Sequence, residues 1–316
     1  MIDEQKKASM REGFGSGLAK VASVNEKVVA LVPDLTNSVG FGEMAKNHPK
    51  RLIQVGIAEQ NIVCVASGLA HEGMIPFVGA YAVFSPGRNW EQIRTTICIN
   101  NQPVKLLGSH AGLTVGPDGG THQMLEDIAL MRVLPGMVVI APGDALEAEQ
   151  VAIAMARDKR PNYCRLPRAE TPVVFDNKHR FDIGKTYHLR DGDNVVVFTT
   201  GTMTASALEA VKILEKKNIS AKLVHCPTVK PLDCKKILEH ARGFEKVVTI
   251  EEHQIVGGFG SLIAEILTSP GKKNHTVQLL RIGVNDEYGQ SGLPDELLDF
   301  YGLTPKRIAD KIEKFC

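Results

Sequence analysis

Val104-Lys105-Leu106-Leu107-Gly108-Ser109-His110-Ala111-Gly112-Leu113-Thr114-Val115-Gly116-Pro117-Asp118-Gly119-Gly120-Thr121-His122-Gln123 decides how this chain folds. A short apolar run over 104–107 reads as a buried strand. Behind it, 109–123 packs two histidines, one carboxylate and four glycines ahead of the next helical stretch. A strand followed by a glycine-rich loop and a helix is one unit of an open α/β sheet. The loop leaves the carboxyl end of the strand, where such sheets bind ligands. On composition alone the segment is also readable as a surface loop whose histidines cap or solvate. A metal site of His110, Asp118 and His122 with Glu59 is a third reading, weakened because nothing sets those ligands on a common face.

The same rhythm runs outward in both directions. Ser9-Met10-Arg11-Glu12 has capping-box spacing, and Met10, Phe14, Leu18 and Val21 follow at helical intervals. Val28-Val29-Ala30-Leu31-Val32 is a strand stopped by Pro33-Asp34. A helix is predicted over 57–69, with Gly73 just beyond it. Strands are predicted over 77–81, 138–141 and 163–166, and a helix over 145–156. Alternation of this kind argues for a mainly parallel sheet with helices on both faces. It breaks around 169–185, where Pro172 and then Asp176-Asn177-Lys178-His179-Arg180 read as a polar connector. A second series follows: strands over 195–199, 221–225, 247–250 and 277–281, helices over 205–217, 234–241 and 261–267. Two helices close the chain, the last opening on Thr304-Pro305.

At 316 residues the chain has material for two domains. Its 37 Lys+Arg against 36 Asp+Glu give no general attraction to nucleic acid or to an anionic membrane. The start, Met1-Ile2-Asp3-Glu4-Gln5-Lys6-Lys7, is not a secretory signal, and no apolar run approaches a membrane span. Six cysteines without a CxxC pair read as reduced, which points to a cytoplasmic protein.

Two further segments hold candidate groups. In Gly56-Ile57-Ala58-Glu59-Gln60-Asn61, Glu59 sits at a helix start, where a carboxylate usually just favours the helix dipole. An apolar helix behind it predicts burial, and a buried Glu can exchange a proton near neutrality. In Pro76-Phe77-Val78-Gly79-Ala80-Tyr81-Ala82-Val83-Phe84-Ser85-Pro86-Gly87-Arg88, Tyr81 and Phe84 lie close to Trp90 in a chain only 5% aromatic. Aromatics at a strand end are more often core than a stacking platform. Gly13-Phe14-Gly15-Ser16-Gly17 and Gly257-Gly258-Phe259-Gly260 lack dinucleotide-site spacing, and the first has no strand before it.

Taken in order, Asp34-Leu35-Thr36-Asn37-Ser38, Gly56 to Asn61, Pro76-Phe77 with Tyr81 and Phe84, Ser109-His110, and Gly116 to Gln123 match motifs of the thiamine-diphosphate enzymes of the transketolase family. Essentially the whole chain resembles the C-terminal half of a transketolase. The resemblance implies two α/β domains with mainly parallel sheets flanked by helices: a pyrimidine-binding domain over 1–172, a linker over 173–184 and the C-terminal domain over 185–316. It implies ketol transfer between ketose and aldose phosphates through a thiamine diphosphate ylide. Glu59 would hydrogen-bond the aminopyrimidine and drive ylide formation. Phe84 would stack on that ring, Tyr81 would line the pocket, and Asp34 would lie near the cofactor. His110 and His122 would donate hydrogen bonds and shuttle protons at the reacting carbonyl, and Asp118 would read a sugar hydroxyl. Arg11, Arg168 and Ser38 would bind the sugar phosphate, which guanidinium groups suit bidentately.

The family precedes these domains with a diphosphate-binding domain carrying a GDG motif and a pair of asparagines for a divalent metal. Neither is found here; Asp191-Gly192-Asp193-Asn194 reads as a turn. An N-terminal partner subunit holding the diphosphate and Mg2+ or Ca2+ is therefore implied, in a two-plus-two heterotetramer. Gly56-Ile57-Ala58-Glu59-Gln60 and Ala111-Gly112-Leu113 also resemble deoxyxylulose-phosphate synthase, which typically has Asp-Arg in place of Ser109-His110. The beta subunit of 2-oxoacid dehydrogenases shares the layout but lacks the Thr-His-Gln and Asp-Leu-Thr segments. A noncatalytic subunit keeping the fold is opposed by the retention of Glu59 and both histidines.

Overall fold

Five consecutive apolar residues with no polar face, as in Val28–Val32, can be buried only in a strand covered on both sides, and all five are buried. The structure, a computed structural model, describes residues 6–269 and 277–316; part of the opening stretch, residues 1–5, lies outside these. Its strands are β1 (Lys7–Ala8), β2 (Val28–Val32), β3 (Leu52–Gln54), β4 (Ile75–Tyr81), β5 (Lys105–Ser109), β6 (Val138–Ile140), β7 (Asn162–Arg165), β8 (Thr171–Pro172), β9 (Tyr187–Arg190), β10 (Val195–Thr199), β11 (Ala221–His225), β12 (Thr228–Lys230), β13 (Lys246–Gln254) and β14 (Gln278–Val284). The first sheet has the order β12-β6-β7-β5-β4-β2-β3, and the second β14-β13-β10-β11-β9. Both are parallel except at one edge, where β12 and β9 run antiparallel to their neighbours. Helices flank them, giving the α/β architecture that the alternation predicts.

Sheet membership does not follow chain order. Thr228–Lys230, well past the polar connector, pairs with Val138–Ile140 on the edge of the first sheet. One buried cluster accordingly joins Leu31, Ile62, Leu106 and Tyr163 to Phe198, Val224, Val229 and Phe259. The short ribbon of Lys7–Ala8 with Thr171–Pro172 ties the start of the chain to the start of the connector. Among the described residues no helix is long and apolar enough to cross a membrane.

Several boundaries differ from those predicted, each for a local reason. The helix predicted over 57–69 is Glu59–His71, because Gly56 (φ 71°) and Ala58 (φ −143°, ψ 68°) are not helical. The strand predicted over 247–250 runs on to Gln254, so Glu251, Glu252 and His253 are buried strand residues. The Glu251 carboxylate accepts the Phe259 and Gly260 N–H groups at 2.7 Å each and occupies the N-terminus of helix Phe259–Leu267. No phosphate is needed there.

The glycines of 13–17 serve packing. Helix Met10–Val24 begins with Ser9 accepting from Glu12 N–H, as the capping-box spacing predicts. A Cβ on Gly15 would lie 1.8 Å from the Gly40 oxygen, and one on Gly17 2.4 Å from the Glu149 oxygen. Backbone contact at Gly15 seats Arg11, one turn earlier, beside Ser38. We expect Gly15→Ala to destabilise the chain by about 1–3 kcal/mol through overpacking, outweighing the better helix propensity of alanine. Gly68→Ala is the control, since nothing lies within 4 Å of a Cβ there and the helix Glu59–His71 is exposed at that position. It should stabilise by up to about 1 kcal/mol in the same urea titration. Equal midpoints for the two variants would refute the packing account.

Candidate functional site

The predicted site residues gather at the carboxyl edge of the first sheet. Asp34 follows β2, Glu59 follows β3, Tyr81 ends β4 with Phe84 just beyond, His110 follows β5, and Arg168 follows β7. In a parallel sheet these ends all face one way, so residues distant in sequence meet along one rim. Arg11 reaches the same rim from the first turn of helix Met10–Val24.

One corner is built from rings. His110 stacks on Tyr81, centroids 3.8 Å apart at 21°, and Tyr81 stacks on Phe84 at 6.1 Å. Phe84 meets His122 edge-on at 5.6 Å. His110 has a left-handed backbone (φ 56°), and its Nδ1 lies 2.6 Å from Ser109 Oγ. Burial, then the charges of Arg11, Arg168 and His122, push its pKa down to about 3, so the ring is neutral at physiological pH.

Glu59 is 3% exposed. Its Oε2 accepts from Arg88 Nη1 at 2.7 Å, and its backbone oxygen accepts from Asn89 Nδ2 at 2.8 Å. Among the described residues no donor reaches its Oε1. The Arg88 guanidinium also lies 4.7 Å from the Phe84 ring centroid, a cation–π distance. A planar nitrogen-bearing cation therefore already sits where a buried carboxylate and an aromatic face converge. The donor set fits an aminopyrimidine: an acceptor free to take a ring N–H, and a ring to stack on.

A second cluster gathers cations. Arg11 donates to the backbone oxygens of Ser38 (2.5 Å) and Arg168 (3.0 Å). Arg168 donates to the Val115 oxygen at 2.8 Å and lies 3.6 Å from Asp118. Arg11, Ser38, Asp118 and Arg168 thus form one cluster. Asp34 stands apart, its N–H donating to Gln54 Oε1 on the neighbouring strand. The four groups of the metal reading do not converge, since Glu59 is taken by Arg88 and His110 by Ser109 and Tyr81. Among the described residues no group of three or more His, Cys, Asp or Glu is arranged to hold a metal ion.

Sequence reasoning missed Arg88 and Glu252. Nothing in the local pattern marks Arg88. Glu252 had a signal, two acidic residues and a histidine directly after an apolar strand, but charge reads as the end of a strand. Glu252 reaches the glycine-rich loop from the second sheet, its Oε1 accepting from Thr114 N–H at 2.8 Å.

The transketolase pyrimidine-binding domain family matches residues 6–173, and the transketolase C-terminal domain family matches 184–308. The chain is 42% identical to a Methanocaldococcus jannaschii protein provisionally named a transketolase C-terminal section, over 96% of this chain and 95% of that one. It is 35% identical to a 6-deoxy-6-sulfo-D-fructose transketolase subunit of a Clostridium species, over 95% of this chain and 92% of that one. A 1-deoxy-D-xylulose-5-phosphate synthase of Gloeothece citriformis is 37% identical across 95% of this chain, which spans 47% of that enzyme. Among solved structures, a split-gene transketolase described as an inactive beta4 tetramer superposes with a TM-score of 0.89 at 40% identity, covering 97% of each chain.

The state of His110 is directly measurable. We expect its ring to stay neutral to about pH 4, followed by nuclear magnetic resonance of labelled histidine, because its pKa is pushed down to about 3. The sign for stability follows from linkage. Below pH 6.5 the unfolded chain takes up a proton that the folded chain refuses, so this group's contribution is lost as pH falls from 6.5 towards 3, at up to about 1.4 kcal/mol per pH unit. A midpoint near 6.5 in the folded chain would show the ring to be solvated.

Proposed function

The chain belongs to the transketolase family, with that family's pyrimidine-binding domain followed by its C-terminal domain, and on that premise we propose that it is the C-terminal subunit of a two-chain transketolase. It would move a two-carbon ketol unit between ketose and aldose phosphates in the cytoplasm. The observation that carries this reading is the buried Glu59 carboxylate, with one oxygen on Arg88, whose guanidinium also lies over the Phe84 ring, and the other without a donor among the described residues. The two-chain form is supported by end-to-end similarity to a split-gene transketolase. The domains would divide at 1–172 and 185–316, with a linker over 173–184.

Thiamine diphosphate, when bound, supplies the nucleophilic carbon that the reaction needs. Glu59 would hold the aminopyrimidine through its free oxygen and exchange a proton at that ring, while Phe84 and Tyr81 pack against it and Asp34 lies near the cofactor. His110, neutral and fixed by Tyr81 and Ser109, would donate a hydrogen bond to the donor's carbonyl oxygen. His122 would share that task and carry protons. Asp118 would accept from a sugar hydroxyl. Arg168, Arg11 and Ser38 would hold the phosphate at the far end. Each Arg11 η-nitrogen gives one N–H to a backbone oxygen and keeps a second, so Arg11 can shape the corner and still donate, as Arg168 can. The partner subunit, carrying the GDG motif, would hold the diphosphate and its Mg2+ or Ca2+, with two copies of each chain in the assembly.

A synthase-like subunit is the second reading, favoured by the deoxyxylulose-phosphate synthase relatives. Ser109-His110 in place of Asp-Arg speaks for transketolase.

Purified alone, the chain should self-associate and show no ketol transfer; with the N-terminal subunit, thiamine diphosphate and magnesium it should be active. In that complex Glu59→Gln should lower turnover by about 10²–10⁴-fold, the range for a proton-transfer group. Full activity of the single chain, or a Glu59→Gln complex within threefold of wild type, would overturn the reading. Pyruvate with glyceraldehyde phosphate as the better substrate pair would favour the synthase.

The phosphate corner has its own test. Arg11→Ala and Arg168→Ala should lower kcat/KM for a ketose phosphate by roughly 10–150-fold, as expected for a lost charge-assisted hydrogen bond. Hydroxypyruvate, which has no phosphate, should be far less affected. Equal losses on both donors would refute the clamp.

A further inference from the structure

We propose that the second domain positions the substrate-facing loop of the first, and that Glu252 is the residue through which it does so. The proposal deepens the functional reading above and rests on it for the identity of the loop's substrate.

Residues 112–118 carry the chain from His110 to Asp118 and lie over the junction between the two sheets. Their anchors come from the far side of the connector. The Glu252 Oε1 accepts from Thr114 N–H at 2.8 Å, and its Oε2 accepts from Thr202 Oγ1 at 2.8 Å. The carboxylate is 3% exposed, so each of these bonds is made away from competing water. Its own backbone is fixed in turn, the Glu252 oxygen accepting from Arg165 Nη1 and Nη2 at 3.1 and 3.2 Å. Gly112, at φ 88°, leaves room for it: a Cβ there would lie 2.4 Å from Glu252 Oε1.

Two more contacts hold the loop at other points. Leu113 and Leu125 are fully buried in the core of the second domain, beside Val284 and Leu297. Gln123 Nε2 is shared among the oxygens of Leu113, Gly116 and Gln290, at 3.1, 3.3 and 3.0 Å. The loop is therefore gripped at both ends by residues that touch none of the groups assigned to chemistry. Glu252 acts through Thr114 and is a positioning residue. What it sets is the placement of Asp118, His122 and the Val115 oxygen against which Arg168 rests.

The test uses the full chain reconstituted with its partner subunit, comparing wild type with Glu252→Ala, Glu252→Gln and Thr202→Val. Three quantities are read: hydrogen exchange of the amides over 111–123, kcat/KM for a ketose phosphate, and the Kd for thiamine diphosphate by calorimetry. Glu252→Ala should speed loop exchange by about tenfold or more and cut kcat/KM by roughly 10–100-fold, while cofactor affinity stays within about threefold. Glu252→Gln should restore most of both, because its amide oxygen can still accept from Thr114 and its NH2 can donate to the Thr202 hydroxyl. Thr202→Val, which deletes a single hydroxyl, should give a smaller loss of the same pattern and serves if Glu252→Ala does not fold. Unchanged loop exchange in the alanine variant, a rise in exchange spread evenly over the chain, or a glutamine variant as impaired as alanine would each overturn the proposal. Should the wild-type complex lack ketol transfer, the functional reading fails, while the exchange data still decide whether Glu252 holds the loop.

Discussion

A guanidinium cannot shed its charge by deprotonation, so a buried arginine must find acceptors or destabilise the fold. Arg165, at the end of β7 and 8% exposed, is the fixed point of this molecule. Its Nε donates to Asp127 Oδ2 at 2.9 Å, which also accepts from Tyr163 Oη at 2.8 Å, and its η-nitrogens donate to the Glu252 oxygen. Asp127 opens the helix that follows the glycine-rich loop, and Glu252 belongs to the second sheet. One side chain thus locks three pieces of backbone, and the rim on which Arg168 sits, three residues on, inherits that rigidity.

A second buried knot ties the connector. Glu147, fully buried, accepts from His179 Nε2 at 2.9 Å and His225 Nε2 at 2.8 Å, and the Gly143 N–H donates to it at 2.7 Å. Burial works to raise its pKa, but His225 and these hydrogen bonds hold it down at about 2. His179 lies in the connector, stacked on Phe175 at 3.9 Å, and His225 ends β11. A segment that reads as a polar linker is therefore docked, and its polar residues are part of the reason.

What the sequence revealed and what it hid follow from the range of the interactions. Strand and helix identity is written in short-range apolar periodicity, so the alternation, the capped helix at Met10 and the rim of strand ends were all legible. Glu59, Tyr81, Phe84, His110 and His122 were legible as candidates because they lie at or beyond the carboxyl ends of strands. Their mutual contacts were not, since stacking of His110 on Tyr81 depends on sheet order. The extension of β13 through Glu251-Glu252-His253 was hidden for a different reason. Charge normally ends a buried strand, and here it is tolerated only because Phe259, Gly260, Thr114 and Thr202 supply donors from elsewhere in the chain. The pairing of β12 with β6 was likewise invisible, being a choice between two sheets that a three-residue strand cannot announce.

These long-range ties bear on what kind of object the two domains form. Interfaces between domains of one chain are usually polar enough to permit relative motion. Here a strand crosses from one sheet to the other, one apolar cluster spans both, and Arg165, Glu147 and Glu252 each bond across the boundary. Separating the domains would strip partners from buried charges at about 3–5 kcal/mol apiece, a loss comparable to the whole stability of an ordinary domain. The two sheets therefore fold and hold as one unit. A candidate catalytic rim assembled from the ends of five strands requires that rigidity, because the groups on it come from different loops and share no local scaffold. The second domain, whose described residues place no side chain among the candidate catalytic groups, contributes by removing the freedom of the loop that does.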